Sequence, residues 1–469
     1  MAISIYNSLT RKKEVFEPLR APQVNMYTCG VTVYDECHIG HARSLYIFDV
    51  IRRYLEYRGF KVNFVRNITD IDDKIINRAN ELKVDWKELV DKYINSYYQD
   101  LKLLGIGLGI KDGEQEPRAT KNIDDIIKYI SILIDKGFAY PTASGVYFSV
   151  RKFKEYGKLS GQGIDDMLSG VRKESDEAKE DSLDFALWKS SKPGEPSWDS
   201  SWMPGRPGWH IECSTMSQKY LKCETLDIHA GGRDLIFPHH ENEIAQAEAA
   251  TGKQFAKYWI HHGLLTINSQ KMSKSLGNFI TIKDFLAKYK DADILKLFFL
   301  SAHYSHPIDY SDKKIEETIA ALERISILMD KLDKKTASGV IMKGDTNFKE
   351  VEDLRNKFIA ALDDDFNTPQ ALACAFDLVN IANKNIENLD FVAFARGVLK
   401  EFLSILGISL EALKTGSLSD EEIKLKIAER EQARKNKNYA LSDKIRKDLE
   451  TQGIILEDEK GVTTWRRKI

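Results

Sequence analysis

Hydrophobic positions first fall into a period near the amino terminus. A short β-prone run at 24–27 leads into Cys29-Gly30 and a loop, after which Leu45, Phe48, Ile51 and Leu55 recur at helical spacing until Gly59. Val62 and Phe64 open a second β-prone run. The pattern predicts strand, crossover helix and strand, the unit of a parallel sheet that binds ligands at the carboxyl ends of its strands. No Gly-x-Gly-x-x-Gly stands at the first turn, so a dinucleotide site is unsupported. Between about 117 and 203 the texture changes: helical patterning to Lys136, a strand at 146–150, then a charged stretch with Lys173, Glu174, Asp176, Glu177, Lys179 and Glu180. We read it as an insertion. Sheet-and-helix texture returns from 205 to 310. Beyond it Ile315, Ile319, Leu322, Ile325, Met329 and Leu332 step by three or four, and two or three further amphipathic stretches run to Leu406, which predicts a helical bundle. The polar gap 333–347 reads as a bundle loop and 414–420 as a linker.

The expected fold class is α/β: a Rossmann-like parallel-sheet domain with an insertion, then an α-helical bundle and a small C-terminal domain. The expected boundaries are 1–116 and 204–310 for the two halves of the sheet domain, 117–203 for the insertion, 311–407 for the bundle and 408–469 for the tail.

Composition narrows the class. The 469 residues are enough for about three domains. With 42% hydrophobic and 30% charged residues the chain has a globular balance, not a disordered or collagen-like one. No apolar run approaches the ~20 residues of a membrane helix, and residues 1–11 show no signal-peptide core. We therefore expect a cytoplasmic protein without a membrane partner. The 69 basic and 71 acidic side chains leave a net charge of −2, so no global field draws the chain to DNA, and any polyanion must be gripped by local patches. Five scattered cysteines, Cys29, Cys37, Cys213, Cys223 and Cys374, read as reduced thiols. All ten histidines lie between His38 and His306, which points the chemistry to the first two thirds.

His38-Ile39-Gly40-His41 sets two imidazoles about a glycine where a strand turns into a helix. Helix N–H groups attract phosphate there, and the glycine permits close approach. Lys271-Met272-Ser273-Lys274-Ser275-Leu276-Gly277-Asn278 offers two ammonium groups, two hydroxyls and a glycine to a pyrophosphate as its charge develops. Together the two motifs make the sequence resemble class I aminoacyl-tRNA synthetases.

A third set adds Cys29, Cys213 and the 238–243 segment, where His239 and Glu243 fall at i and i+4 on one helical face. Two thiolates, an imidazole and a carboxylate suit zinc. Spacing alone leaves His240, at i, i+3 to Glu243, as an alternative. With these and the segments 27–30, 32–35, 38–43, 67–74, 116–120, 157–162, 205–214, 227–242 and 271–278, the resemblance sharpens to the cysteinyl-tRNA synthetase family and covers essentially the whole chain.

That resemblance implies activation of cysteine by ATP, with Mg2+, and transfer from the adenylate to the 3′ end of tRNA(Cys). It implies one zinc per chain on Cys29, Cys213, His239 and Glu243, which prefers His239 to His240. It implies ATP binding by His38, Gly40, His41 and Lys274, catalysis by His38, His41, Lys271 and Lys274, and an amino-acid pocket shaped by Thr69, Trp209, His229 and Asp234. Zinc would select the substrate thiolate, leaving no need for editing, and the insertion would serve acceptor-end binding and architecture. The bundle would bind tRNA. Nine basic against four acidic side chains between 424 and 449, with Tyr439 and Trp465, suit unstacked anticodon bases. A monomer is expected. Val31, Lys296 and Ser305 depart from the family pattern, which puts the turn after Cys29 and contacts near the bundle junction in question.

Overall fold

The computed structural model describes residues 2–107, 115–163, 178–273, 276–337, 348–410, 418, 420–459 and 462–467. Its centre is a four-stranded parallel sheet built from β3 (Gln23–Thr32), β4 (Lys61–Thr69), β9 (Leu226–Gly232) and β10 (Ala256–His262), in the spatial order β10-β9-β3-β4. Helix Ile39–Tyr57 connects β3 to β4, and helix Glu241–Thr251 connects β9 to β10. The chain thus leaves the centre in opposite directions from β3 and β9, and the crevice at their carboxyl ends is the switch point where such sheets bind ligands.

The period of two along each strand assigns the two faces. Met26, Phe64, Ile228, Tyr258 and Ile260 join the larger core, which continues through helix Ile39–Tyr57 into the bundle with Leu322 and Phe402. Their neighbours Tyr27, Val65 and Trp259 face a second core shared with the inserted segment, including Ile130, Phe148 and Trp188. That segment forms an antiparallel sheet of β5 (Ala139–Pro141), β6 (Gly145–Phe148), β7 (Phe185–Ser190) and β8 (Gly205–Pro207) beside helix Ile123–Asp135.

A hairpin of β1 (Ser4–Asn7) and β2 (Lys12–Val15) precedes the sheet, and β11 (Leu265–Ile267), β12 (Gln270–Lys271) and β13 (Ile308–Tyr310) form a small sheet after it. Helices Asp312–Thr336, Lys349–Asp363, Thr368–Lys384 and Leu389–Leu406 make the bundle. Helices Asp420–Lys435 and Tyr439–Thr451 and the hairpin of β14 (Ile454–Glu459) and β15 (Val462–Arg467) enclose a separate core of Ile423, Ile427, Ile445, Leu449, Ile454 and Leu456.

Several elements differ from the sequence pattern. β3 runs through Cys29 to Thr32, with a register shift against β4 between Thr28 and Val31. The strand expected at 146–150 stops at Phe148, and a single 3-10 turn follows at Val150–Lys152. Asp333 to Thr336, expected in a loop, complete the first bundle helix, where Asp333 is bonded by Arg396 at 2.5 Å. Of the expected loop, 338–347 lies outside the described residues, as do 173–177 of the charged stretch and 414–417 of the expected linker. Ile408 is buried in the main core, and Ser409 and Leu410 donate backbone N–H bonds to Asp293 Oδ2 at 3.0 and 2.7 Å, so these three belong with the packed body. Lys296 is buried, paired with Asp293 at 2.8 Å and donating to Gly407 O at 3.0 Å, so it closes the same joint.

Candidate active site

The histidine turn is fixed by its own backbone. His38 caps helix Ile39–Tyr57, its Nδ1 accepting from Gly40 N–H at 3.1 Å and His41 N–H at 3.2 Å, while His41 Nδ1 accepts from His38 N–H at 3.3 Å. With each Nδ1 an acceptor, the proton of each neutral ring sits on Nε2. Burial lowers the His38 imidazole to about 4 and the His41 imidazole well below its ordinary value. The rings, stacked at 3.7 Å, are therefore neutral Nε2–H donors at the amino end of a 19-residue helix, where anions are favoured. A Cβ on Gly40 would lie 2.9 Å from the His38 ring and 3.4 Å from Met272 Cε, so the glycine lets the two motifs approach.

Lys271 ends β12, paired with Thr266 of β11. Beyond it Ser273 N–H donates to Asn278 Oδ1 at 2.8 Å, and Asn278 Nδ2 donates to Lys271 O at 3.2 Å, folding the motif on itself. Lys274 and Ser275 lie outside the described residues.

Between β3, β9 and two helices lies a buried cluster of thiols, imidazoles and a carboxylate. Cys29 stands at the register shift of β3, where Gly30 N–H donates to Asn67 Oδ1 at 2.9 Å and a Cβ on Gly30 would meet Asn67 O at 1.6 Å. Cys213 belongs to helix Trp209–Leu221, and Glu243 to helix Glu241–Thr251, preceded by the tight turn Ile236–His240 that carries His239. The two Sγ atoms are 3.8 Å apart; Cys29 Sγ is 3.4 Å from Glu243 Oε1, Cys213 Sγ 3.6 Å from His239 Nε2, and His239 Nε2 2.9 Å from Glu243 Oε1. Burial pushes the Cys29 thiol up, and the Cys213 and Glu243 charges add to it. Cys213 falls to about 6 because, against burial, Cys29 and His239 hydrogen-bond it. Glu243 is held well below the carboxylate range, against burial, by His229 and His239. Such a set of mutually balanced buried charges could hold a metal ion, as could a second set, Cys29, His229, His240 and Glu243.

The remaining expected pocket residues divide. Thr69, at the end of β4, donates to the buried Glu212 Oε2 at 2.7 Å. Trp209, 37% exposed, stacks on His239 with ring centroids 4.2 Å apart. His229 is fully buried, its Nε2 2.7 Å from Glu243 Oε2 and its ring stacked on Trp259, so it stands behind the cluster. Asp234 is exposed beside Gly232, its charge felt by His38.

Sequence reasoning weighed His240 only as an alternative to His239 and missed the layer to which it belongs. His240 Nε2 lies 3.2 Å from Cys29 Sγ, its Nδ1 2.8 Å from His261 Nε2, and His261 Nδ1 2.8 Å from Ser8 Oγ. His210 Nδ1 lies 2.9 Å from His239 Nδ1 and so orients that ring. The available signal was the pair His261-His262 ending a β-prone run, at the carboxyl end of a parallel strand.

In the tail, Arg430 is buried and paired with Asp458 at 2.8 Å, and Arg434 and Arg446 reach the same carboxylate at 3.5 and 3.9 Å. Three of the nine basic side chains thus answer an internal acid, while Lys424, Lys426, Lys435, Lys437, Lys444 and Lys447 stay exposed. Tyr439 is 62% exposed, whereas Trp465 packs on the tail core.

Residues 15–320 match the class I (C) tRNA synthetase catalytic-domain family, and residues 357–411 match the DALR domain. The chain is 49% identical over 490 residues to a cysteine–tRNA ligase of Thermodesulfovibrio yellowstonii, covering 99% of each chain. It is 49% identical over 473 residues to one of a Geobacillus species, again covering 99% of each. Among solved structures, a Mycobacterium tuberculosis methionyl-tRNA synthetase in complex with methionyl-adenylate superposes with a TM-score of 0.64 at 16% identity, over 82% of this chain and 90% of that one, a likeness of fold. Among the described residues no helix is long and apolar enough to cross a membrane.

Proposed function

We infer how this site works from the family to which the chain belongs, the cysteine–tRNA ligases of class I. Members join cysteine to tRNA in two steps. A cysteine carboxylate oxygen attacks the α-phosphorus of ATP and the bond to pyrophosphate breaks. The terminal ribose hydroxyl of tRNA(Cys) then attacks the adenylate carbonyl and AMP leaves.

The observation that carries the reading at residue level is the spacing of the donor atoms. A tetrahedral zinc site with Zn–S of about 2.3 Å and Zn–N of about 2.1 Å needs S···S and S···N edges of about 3.8 and 3.6 Å. The Cys29–Cys213 and Cys213–His239 separations are 3.8 and 3.6 Å. The His239–Glu243 contact is shorter, 2.9 Å, as suits a hydrogen-bonded imidazole and carboxylate. Both candidate imidazoles have their second nitrogen engaged, His239 by His210 and His240 by His261, and the set with two thiols suits zinc better than the set with one. Held by Cys29, Cys213, His239 and Glu243, zinc would supply a Lewis acid that prefers a substrate thiolate to a serine hydroxyl.

The chain's own groups do the rest. Thr69 is held by Glu212 at the pocket wall and Trp209 covers it, and both exclude water. His229 holds Glu243 from behind, and Asp234 faces the histidine turn. His38 and His41 donate Nε2–H bonds to phosphate oxygens beside the bare backbone of Gly40, with Mg2+ accompanying ATP. Lys271 and Lys274 neutralise the pyrophosphate as it leaves, where charge develops in the transition state. The insertion borders the acceptor end, the bundle supports the tRNA, and the exposed tail lysines with Tyr439 meet its anticodon region.

Cysteine-dependent ATP–pyrophosphate exchange, measured with and without tRNA(Cys) beside a zinc determination, tests this reading. The expected result is one zinc per chain, exchange with cysteine and none with serine. Exchange that persists in metal-free protein with unaltered selectivity would overturn the zinc assignment.

A further inference from the structure

The two ATP motifs are joined from behind by a short backbone seam. Ile39 N–H donates to Ile280 O at 3.1 Å, Ile282 N–H donates to Cys37 O at 2.9 Å, and His38 bridges Thr281 in antiparallel register. Phe279 sets its ring edge-on to His38 at 5.3 Å. The segment that follows the lysine motif is thereby laid against the turn that carries His38 and His41.

Charges flank this seam. Lys283, on helix Ile282–Tyr289, pairs with Glu36 at 2.9 Å, and Glu36 also accepts from Ser96 Oγ. One helical turn beyond Ser96, on helix Trp86–Leu104, stands Asp100. It is 1% exposed, and neither carboxylate oxygen has a hydrogen-bond partner among the described residues. An unpartnered buried carboxylate is costly and is retained where something offsets it. Burial pushes the Asp100 carboxyl up to about 7; Lys283 acts against that shift and Glu36 adds to it. Burial pushes the Cys37 thiol up, and Asp100 and Glu36 add to that shift against Arg66 and Lys283. Lys283 thus pairs with Glu36 and its charge is felt at Asp100, and it sits two residues after the residue that bridges His38.

We propose that Lys283, Glu36 and Asp100 are positioning residues that hold the segment after the lysine motif in register with the His38/His41 turn, and so set the geometry in which both motifs meet ATP. The proposal rests on the reading that both motifs bind ATP. None of the three touches the thiol cluster. Their loss should therefore act on ATP and spare cysteine. Lys283 has the larger role, because its ion pair with Glu36 at 2.9 Å is the charged contact that ties helix Ile282–Tyr289 to the segment before His38; Lys92 also acts on the Glu36 charge.

The test is ATP–pyrophosphate exchange by the full chain carrying K283M, with KM for ATP, KM for cysteine, kcat and zinc content measured separately. The expected result is a loss of about 5- to 20-fold in kcat/KM for ATP, in the range where unpairing a half-exposed ion pair over a buried charge falls, with KM for cysteine and zinc unchanged. K283R should restore most of the loss. D100N placed on K283M should restore part of it, by removing one of the two acidic groups whose charge Lys283 opposes, and E36Q alone should lose less than K283M. K283M with unaltered ATP parameters would overturn the proposal, and so would a loss that neither K283R nor D100N relieves or that falls equally on cysteine. Absence of exchange in the unaltered chain would overturn the functional reading together with the positioning role, whereas normal exchange there combined with an indifferent K283M overturns the positioning role alone.

Discussion

The thiol cluster and the tail are both built from charged side chains, but they place them in opposite solvents. Around Cys29, Cys213, His239 and Glu243 the groups are shielded from bulk water and within 4.8 Å of one another. Each shifts its neighbours' protonation, and removing one strands the others. In the tail, six lysines point into water around a small apolar core, and their interactions are screened within about 10 Å at ordinary ionic strength. The contrast teaches where chemistry and where attraction can reside. Buried groups can bind an ion tightly and discriminate a thiol from a hydroxyl, whereas exposed groups can gather a polyanion but hold it only as strongly as salt permits.

The largest effect should come from the buried side. Cys213→Ser removes one of two thiols, and cysteine activation should fall by more than about 100-fold together with zinc content, since groups one layer further out already cost 10- to 100-fold. Unchanged zinc and selectivity in that variant would break the contrast at its root. Next, Lys274→Ala should slow adenylate formation by roughly 2 to 4 kcal/mol while leaving cysteine affinity alone, because its charge is used only as pyrophosphate departs. A variant that loses affinity and keeps its rate would contradict the role.

Removing 411–469 should leave exchange intact and reduce tRNA charging about 10- to 100-fold, with a shallower dependence of the remaining tRNA binding on salt. The cut belongs at 411 because Ile408, Ser409 and Leu410 pack on the body and cap Asp293. Charging that survives with its anticodon dependence would make the tail's lysines a solvated surface and nothing more. The smallest effect is Asp458→Asn, expected to cost the tail roughly 1 kcal/mol, given the exposure of that carboxylate. Its carboxyl is held below the usual range by Arg430 first and Thr463 next. A folded value below the unfolded one, about 4, means that its stabilisation is present above that pH and lost as pH falls through the folded value. Thermal melts of the tail signal at pH 7 and in acid should therefore diverge in the unaltered chain and converge in the variant.

What the sequence determined by itself was whatever depends on neighbours along the chain. The strand, helix and strand at the amino terminus and the long bundle helix follow from periods of two and 3.6, and the two ATP motifs are local strings. The i, i+4 pairing of His239 and Glu243 was also legible, since one turn of chain brings them together. Only the tertiary structure decided which groups stand together across distance. It brought His240, His261 and Ser8 into one chain of contacts and put His229 behind Glu243. It turned Arg430 inward and set Lys283 against Glu36. Sequence spacing says nothing about these, because the sheet order β10-β9-β3-β4 joins segments some two hundred residues apart, and burial, which fixes the protonation and partners of every such group, is a property of the packed whole.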